Sequence, residues 1–240
     1  MTIAGSDSGG GAGIQADLKT FTALGVWGTT ALTCLTAQNP RAVRAVSPVA
    51  PAMVARQIAA ICEGFSVSAV KTGMLYNAGI IRAVARELAR RQFRFVVVDP
   101  VMVATSGARL LRADAVRVLC AQLLPLAAVV TPNVPEAEVL ADMAIDGPAH
   151  QRQAARVIAE KFGIACVVKG GHLTGGQCAD CLHWRGRDWW FKHPRLKVKS
   201  THGTGCTFSA ALSAWLARGQ SLPEAVRRAQ LYVRRMLSAG

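Results

Sequence analysis

Three short runs constrain the fold most: FVVVD at 95–99, AVVT at 128–131 and ACVVK at 165–169 are apolar at almost every position. A strand with one wet face alternates apolar and polar residues, whereas a strand covered on both faces reads as a continuous apolar run. Segments of helical periodicity separate these runs, at about 52–62, 78–91, 114–124 and 151–162. Further strand-like stretches fall at 2–4, 30–35, 42–46 and 67–71. A helix over 12–24 sets Ile14, Leu18 and Phe21 on one face, with Gly25 as its stop. After Gly171 the pattern changes. CADCLHW and DWWFKHP flank the turn-like RGR and predict a hairpin, with Trp189 and Trp190 on opposite faces of its second strand. Two helices, near 205–217 and 223–237, follow. The expected architecture is a three-layer αβα sandwich around a mainly parallel central sheet, a single domain over residues 1–240. Ligands in such sandwiches bind at the carboxyl ends of the strands.

Composition narrows the function classes. The chain is 51% hydrophobic, enough for one large core, yet no stretch approaches about 18 consecutive apolar residues, so no membrane helix is expected. The start, MTIAGSDSGGG, has neither the basic nor the apolar region of a secretory leader, which points to a cytoplasmic protein. Seven cysteines are scattered through apolar segments, and apart from Cys206 most read as small buried hydrophobes. Cys178, Cys181 and His183 lack a fourth ligand at zinc spacing and read as hairpin packing. The net charge of +14 invites a nucleic-acid reading. Its arginines, however, are spread along helical faces (Arg82, Arg86, Arg90, Arg91), and the densest group is Arg227, Arg228, Arg234 and Arg235. No recognition motif accompanies them, so they read as a solvated surface.

The candidate chemistry sits in glycine loops and at strand ends. AGSDSGGGAG, residues 4–13, lies between a strand and a helix and permits close approach of a ligand. A dinucleotide fingerprint fails here, because no acid occurs between Asp17 and Glu63 to hold a ribose, and a Walker A loop fails for want of any Gly-Lys pair. STHGTGCT, residues 200–207, runs into a helix, so the N–H groups of Gly203, Thr204, Gly205 and Cys206 form an anion hole at a positive helix end. Cys206 lies in that helix's first turn, where thiol pKa values are depressed, and a thiolate there could take the proton of an attacking hydroxyl. Asp99 ends one strand, Asn133 and Glu136 follow another, and Lys169 follows a third. Such residues suit a nucleotide and its metal, the acids holding Mg²⁺ directly or through water and the others meeting phosphates.

Taken together, AGSDSGGGAGIQADLKTF, LTAQN, KTGML, DPVMVATSG, TPNVPEAEVL, VKGGHL and STHGTGCT closely resemble the hydroxymethylpyrimidine/phosphomethylpyrimidine kinases of the ribokinase-like superfamily. The resemblance runs from Met1 to about Tyr232 with the motifs in the family's order. It implies attack of a pyrimidine's hydroxymethyl oxygen on the γ-phosphate of Mg-ATP. By motif position Gly5, Asp17, Gln38, Met74 and Val101 would surround the pyrimidine, and Asp17 and Gln38 suit its ring nitrogen and amino edge. Cys206 would take the base position over the Gly203–Cys206 anion hole. Asn133, Glu136, Lys169 and Thr201 would serve the nucleotide and metal side together with Asp99. Met102 to Gly107 resembles a mobile flap. The resemblance also implies a homodimer whose ligands are ATP, Mg²⁺ and a small pyrimidine, with no membrane or nucleic-acid partner. Two alternatives stand beside it: a pyridoxal kinase of the same superfamily, and a catalytically silent pyrimidine sensor.

Overall fold

The apolar strand runs do what two-sided burial requires. In a computed structural model, which describes residues 1–39, 42–102, 111, 113–173, 176–196, 198 and 201–239, successive side chains of each run enter opposite cores. Val96, Val98, Val130, Cys166 and Val168 join one buried cluster, while Val97, Val129, Ala165 and Val167 join the other. Each fully buried valine contributes roughly 1.5–3 kcal/mol, and on these strands both faces contribute it.

Among the described residues nine strands form one sheet: β1 (Thr2–Asp7), β2 (Thr30–Asn39), β3 (Ala42–Pro48), β4 (Val70–Thr72), β5 (Val96–Val98), β6 (Val129–Val130), β7 (Ala165–Val168), β8 (Gln177–Trp184) and β9 (Arg187–Pro194). Their order is β3-β2-β1-β4-β5-β6-β7-β8-β9. The six strands from β2 to β7 are parallel, and antiparallel strands close both ends, β3 on one and the β8–β9 hairpin on the other. Residues Arg185 and Gly186 turn that hairpin with positive φ at both, as a tight two-residue turn demands. Trp189 and Trp190 do face opposite cores.

Helices α1 (Gly13–Ala23), α7 (Thr204–Ala217) and α8 (Leu222–Ala239) cover one face; α2 (Pro51–Gly64), α3 (Ala78–Arg91), α4 (Ala113–Val118), α5 (Val134–Ala141) and α6 (Pro148–Phe162) cover the other. The segment expected as a helix over 114–124 is α4 followed by a π-helical turn at Leu119–Leu123 and a short 3-10 turn at Leu124–Leu126, where Pro125 ends the α-type ladder. Helix α5 was not anticipated. Asn133 caps it in a reciprocal capping box with Glu136, the Asn-x-x-Glu signature of a helix start.

The chain leaves β1 through α1 to β2 on one side and returns through α2 to β4 on the other. Strand order therefore reverses between β1 and β4, which opens a crevice at their carboxyl ends.

Candidate active site

The glycine loop and the anion loop meet above that crevice. Gly203, the N-cap of α7, has φ +79, and a side chain there would overlap the carbonyl oxygen of Gly11. Only glycine permits both the backbone angle and this contact. Thr204 turns back on the carbonyl of Thr201, by its N–H at 3.3 Å and its hydroxyl at 2.8 Å. The N–H groups of Gly205 and Cys206 belong to the first turn, where a helix supplies no carbonyl partner and the dipole is positive.

On one side of this loop lie the expected nucleotide and metal residues. A Cβ on Gly205 would stand 3.4 Å from Lys169 Nζ and 3.9 Å from Asp99 Oδ2. Lys169, at the end of β7, contacts Asp99, at the end of β5, at 3.2 Å. Ser209, one turn further along α7, donates its hydroxyl to the other Asp99 oxygen at 3.0 Å. Glu136 accepts the N–H of Met102 on one oxygen and that of Asn133 on the other, both at 3.0 Å, and Asn133 pairs along the backbone with Lys169. Burial pushes the Glu136 carboxyl up and Lys169 opposes it. Burial would lower Lys169, but Asp99 and Glu136 outweigh that and hold it as an ammonium. Mg²⁺ keeps several waters and takes one or two carboxylates beside phosphate oxygens. Asp99 and Glu136 each retain unused lone pairs, and among the described residues no three His, Cys, Asp or Glu side chains gather to hold a metal alone. The donor set fits an ion held partly by water and phosphate.

The expected substrate residues fall on the other side. A Cβ on Gly5 would lie 2.6 Å from Cys34 Sγ and 3.8 Å from Met74 Sδ, so Gly5, Cys34 and Met74 pack at one spot. Gln38 is joined to the glycine loop through its backbone, which exchanges two 2.8 Å hydrogen bonds with the Ser8 hydroxyl. Val101 follows Asp99 and Pro100 with φ +46, a left-handed angle that is strained for a β-branched residue. It leads into Met102; the remainder of the expected flap, 103–107, lies outside the described residues, as does Ser200.

Asp17 takes its partners inside the fold. It is fully buried, with both oxygens 2.9 Å from Lys71 Nζ and one 2.6 Å from the Thr2 hydroxyl. Burial pushes Asp17 up against the pull of Lys71; burial would lower Lys71, and Asp17 raises it above the ordinary lysine range. Three close contacts from two donors, the Lys71 ammonium and the Thr2 hydroxyl, fit the ionic pair. In the sequence Lys71 is one letter of the KTGML run, and nothing in spacing tells a buried lysine from a surface one.

Cys206 departs from its expected thiolate character. The residue is only partly covered, but its sulfur is enclosed, and burial pushes the thiol up to about 11. Lys71 pulls it down, Asp17 and Asp99 push it further up, and the Gly13 N–H, at the start of α1, donates to it. The helix start does not prevail because burial of the sulfur outweighs it. Asp7 and His202, neither given a role from sequence, also meet here, Asp7 Oδ2 lying 3.2 Å from His202 Nε2. A cavity of about 370 Å³ lined by Cys62, Phe65, Phe93, Arg91 and Arg94 lies elsewhere, by the amino ends of β4 and β5.

The sheet order, the glycine loop after β1 and the anion loop opening α7 make this a ribokinase-like α/β fold, shared with solved vitamin kinases. Residues 7–240 match the phosphomethylpyrimidine kinase family, and the chain belongs to it. A hydroxymethylpyrimidine/phosphomethylpyrimidine kinase of Rhizobium meliloti is 50% identical over 100% of this chain and 90% of its own. A thiamine biosynthesis bifunctional protein of Geobacter sulfurreducens is 49% identical over 97% of this chain, which spans 48% of that protein's length. Among solved structures, a phosphomethylpyrimidine kinase from Clostridium difficile is 37% identical with a TM-score of 0.88, covering 98% of this chain and 97% of its own. A Bacillus subtilis pyridoxal kinase in an ADP complex is 39% identical with a TM-score of 0.89, covering 95% and 87%.

Proposed function

We propose that this chain transfers the γ-phosphoryl group of ATP to the hydroxymethyl oxygen of 4-amino-5-hydroxymethyl-2-methylpyrimidine, then a second to the monophosphate, in thiamine biosynthesis. Family membership and the curated relatives' printed activity support the chemistry. The observation that carries it is the anion loop, seated between Lys169 and Asp99 on one side and the glycine loop on the other.

In this reading the heteroaromatic ring lies against Gly5 and Met74, with Gln38 and Val101 at its edge. Asp17 acts beneath it, through Lys71, rather than on the ring. The N–H groups of Gly203, Gly205 and Cys206 receive the phosphoryl group in transit, that of Thr204 turning back on the Thr201 carbonyl, and such fixed dipoles act with little reorganisation. Lys169 meets the nucleotide's phosphates, with Asn133 and Thr201 beside it. Asp99 and Glu136 would hold Mg²⁺, which when bound neutralises phosphate charge. Cys206 orients the acceptor hydroxyl as a thiol. With its sulfur pushed up to about 11 it is not ionised near neutral pH, and a loose phosphoryl-transfer state asks little of a base. The enzyme is proposed to act as a cytoplasmic homodimer; among the described residues no helix is long and apolar enough to cross a membrane.

A pyridoxal kinase is the second reading, favoured by the likeness to solved pyridoxal kinases at TM-scores of 0.89 and 0.90. ADP release from Mg-ATP with each acceptor, with product masses, separates the two. One or two phosphates added to the pyrimidine support the proposal, and turnover of pyridoxal alone replaces it with the second.

A further inference from the structure

Asp7 closes β1 and is almost wholly buried, 3% exposed, although it carries a charge at the mouth of a site. Its Oδ1 accepts the N–H of Gly9 at 2.8 Å; its Oδ2 accepts those of Gly11 at 3.1 Å and Ala12 at 2.8 Å, and lies 3.2 Å from His202 Nε2. Burial works against that charge, yet the Gly9 N–H, His202 and the N–H groups of Ala12 and Gly11 hold the carboxyl below its usual value. One side chain thus shapes the glycine loop and grips the anion loop from 195 residues away. The glycines at the junction follow from this grip. A Cβ on Gly11 would stand 2.8 Å from His202 Cδ2, and one on Gly203 would overlap the Gly11 carbonyl. At the Gly11–Gly203 contact there is no room for a side chain, so the loops' separation is set by backbone contact, by the Asp7–His202 pair and by the Gly13 N–H on the Cys206 sulfur.

We propose that Asp7 and His202 are a positioning pair that fixes the anion loop against the glycine loop, and so sets the acceptor hydroxyl at the right distance from the phosphoryl group. This rests on the kinase reading of the same site. In that reading the glycine loop borders the acceptor and the α7 start cradles the phosphoryl group, so a change in loop spacing acts on the reacting distance. Lys169 and Asn133, on the nucleotide side, belong to other segments of the chain and keep their own partners Asp99 and Glu136. An error of about 1 Å in such a distance costs on the order of 10²-fold in rate. The pair touches neither reacting atom, and its action is through the loops.

His202→Ala is the first variant, since Asp7→Asn also disturbs three N–H partners and can fail to fold. We expect kcat to fall about 10²-fold with the pyrimidine while KM for ATP changes less than about threefold and the urea midpoint stays put. His202→Gln, whose amide can reach the same oxygen of Asp7, should return most of the loss. A kcat within threefold of wild type in His202→Ala, a loss that follows the unfolding midpoint, or no recovery with Gln would each overturn the proposal. Amide exchange of residues 9–12 supplies a readout independent of turnover: the N–H groups of Gly11 and Ala12 should exchange at least about tenfold faster in His202→Ala. Unchanged exchange there overturns the pairing itself. If wild type turns over neither acceptor, the kinase reading fails, and the exchange result still decides whether the pair holds the loops.

Discussion

The buried Lys71–Asp17 pair can be tested by removing one charge at a time. Lys71→Met keeps the length of the side chain and takes away the ammonium, leaving the Asp17 carboxylate fully buried with the Thr2 hydroxyl. Breaking a buried pair from one side costs about 3–5 kcal/mol, because the remaining charge is uncompensated. For a chain of this size that lowers Tm by roughly 10 °C. Asp17→Asn should cost a similar amount by stranding the ammonium. The double variant Lys71→Met/Asp17→Asn buries no charge, so it should be more stable than the sum of the singles by at least about 2 kcal/mol. Urea unfolding followed by tryptophan fluorescence gives the midpoints, and unchanged m-values keep the comparison valid. The sign with pH follows from Lys71. Its folded value is raised above the ordinary 10.5, so its contribution is present in full below that value and fades only as pH rises through the raised one. In Lys71→Met only the Thr2 hydroxyl is left against the burial that raises Asp17, so the deficit should shrink as pH falls and Asp17 takes a proton. Additive singles, or a single costing under about 1 kcal/mol, would refute the reasoning.

Three further outcomes follow from the site. Gly203→Ala, at φ +79 and against the Gly11 carbonyl, should lower kcat by more than about 10²-fold in steady-state assays, because the loop must move to admit the methyl group. With the Cys206 thiol pushed up to about 11, wild-type kcat should be flat from about pH 6.5 to 8.5, and Cys206→Ser should keep activity within about tenfold. A kcat that climbs tenfold per pH unit would restore the thiolate base. Asp99→Asn should raise the Mg²⁺ concentration needed for half-maximal turnover at least about tenfold, read by Mg²⁺ titration, since it removes a carboxylate and frees Lys169 from its 3.2 Å partner.

The sheet was legible because Val96–Val98, Val129–Val130 and Ala165–Val168 have no polar alternation to hide which strands are covered twice. Glycine spacing likewise announced both loops, since close approach of two backbones leaves few residue choices. What escaped was partnership at long range. Asp17 belongs to a motif that resembles a substrate site, yet its partner is Lys71, 54 residues on and one strand away. Asp7 sits among glycines that read as a ligand loop, and only the folded chain brings His202 beside it. Helix α5 is hidden in the sequence for another reason: Asn133 and Glu136 suit a ligand site, and the same spacing is a capping box. The depressed thiol expected at Cys206 failed because a helix start counts for little once its sulfur is desolvated.

Two acid–base pairs meet at the carboxyl end of the sheet, Asp99 after β5 with Lys169 after β7 and Asp7 of β1 with His202 before α7; a third, Asp17 of α1 with Lys71 of β4, is buried below them, and each joins elements that sequence keeps apart. In a chain with 14 acids against 28 lysines and arginines, that use of acids is informative. A lysine meant to meet phosphate in an enclosed site would lose its proton if burial acted alone. A carboxylate beside it keeps the ammonium and fixes its direction before the ligand arrives. Removing Asp99 therefore does two things at once: it takes an oxygen from the metal side and lets Lys169 swing. The first is restored by added Mg²⁺ and the second is not, so saturating Mg²⁺ should leave Asp99→Asn with a lowered kcat even after its metal requirement is met.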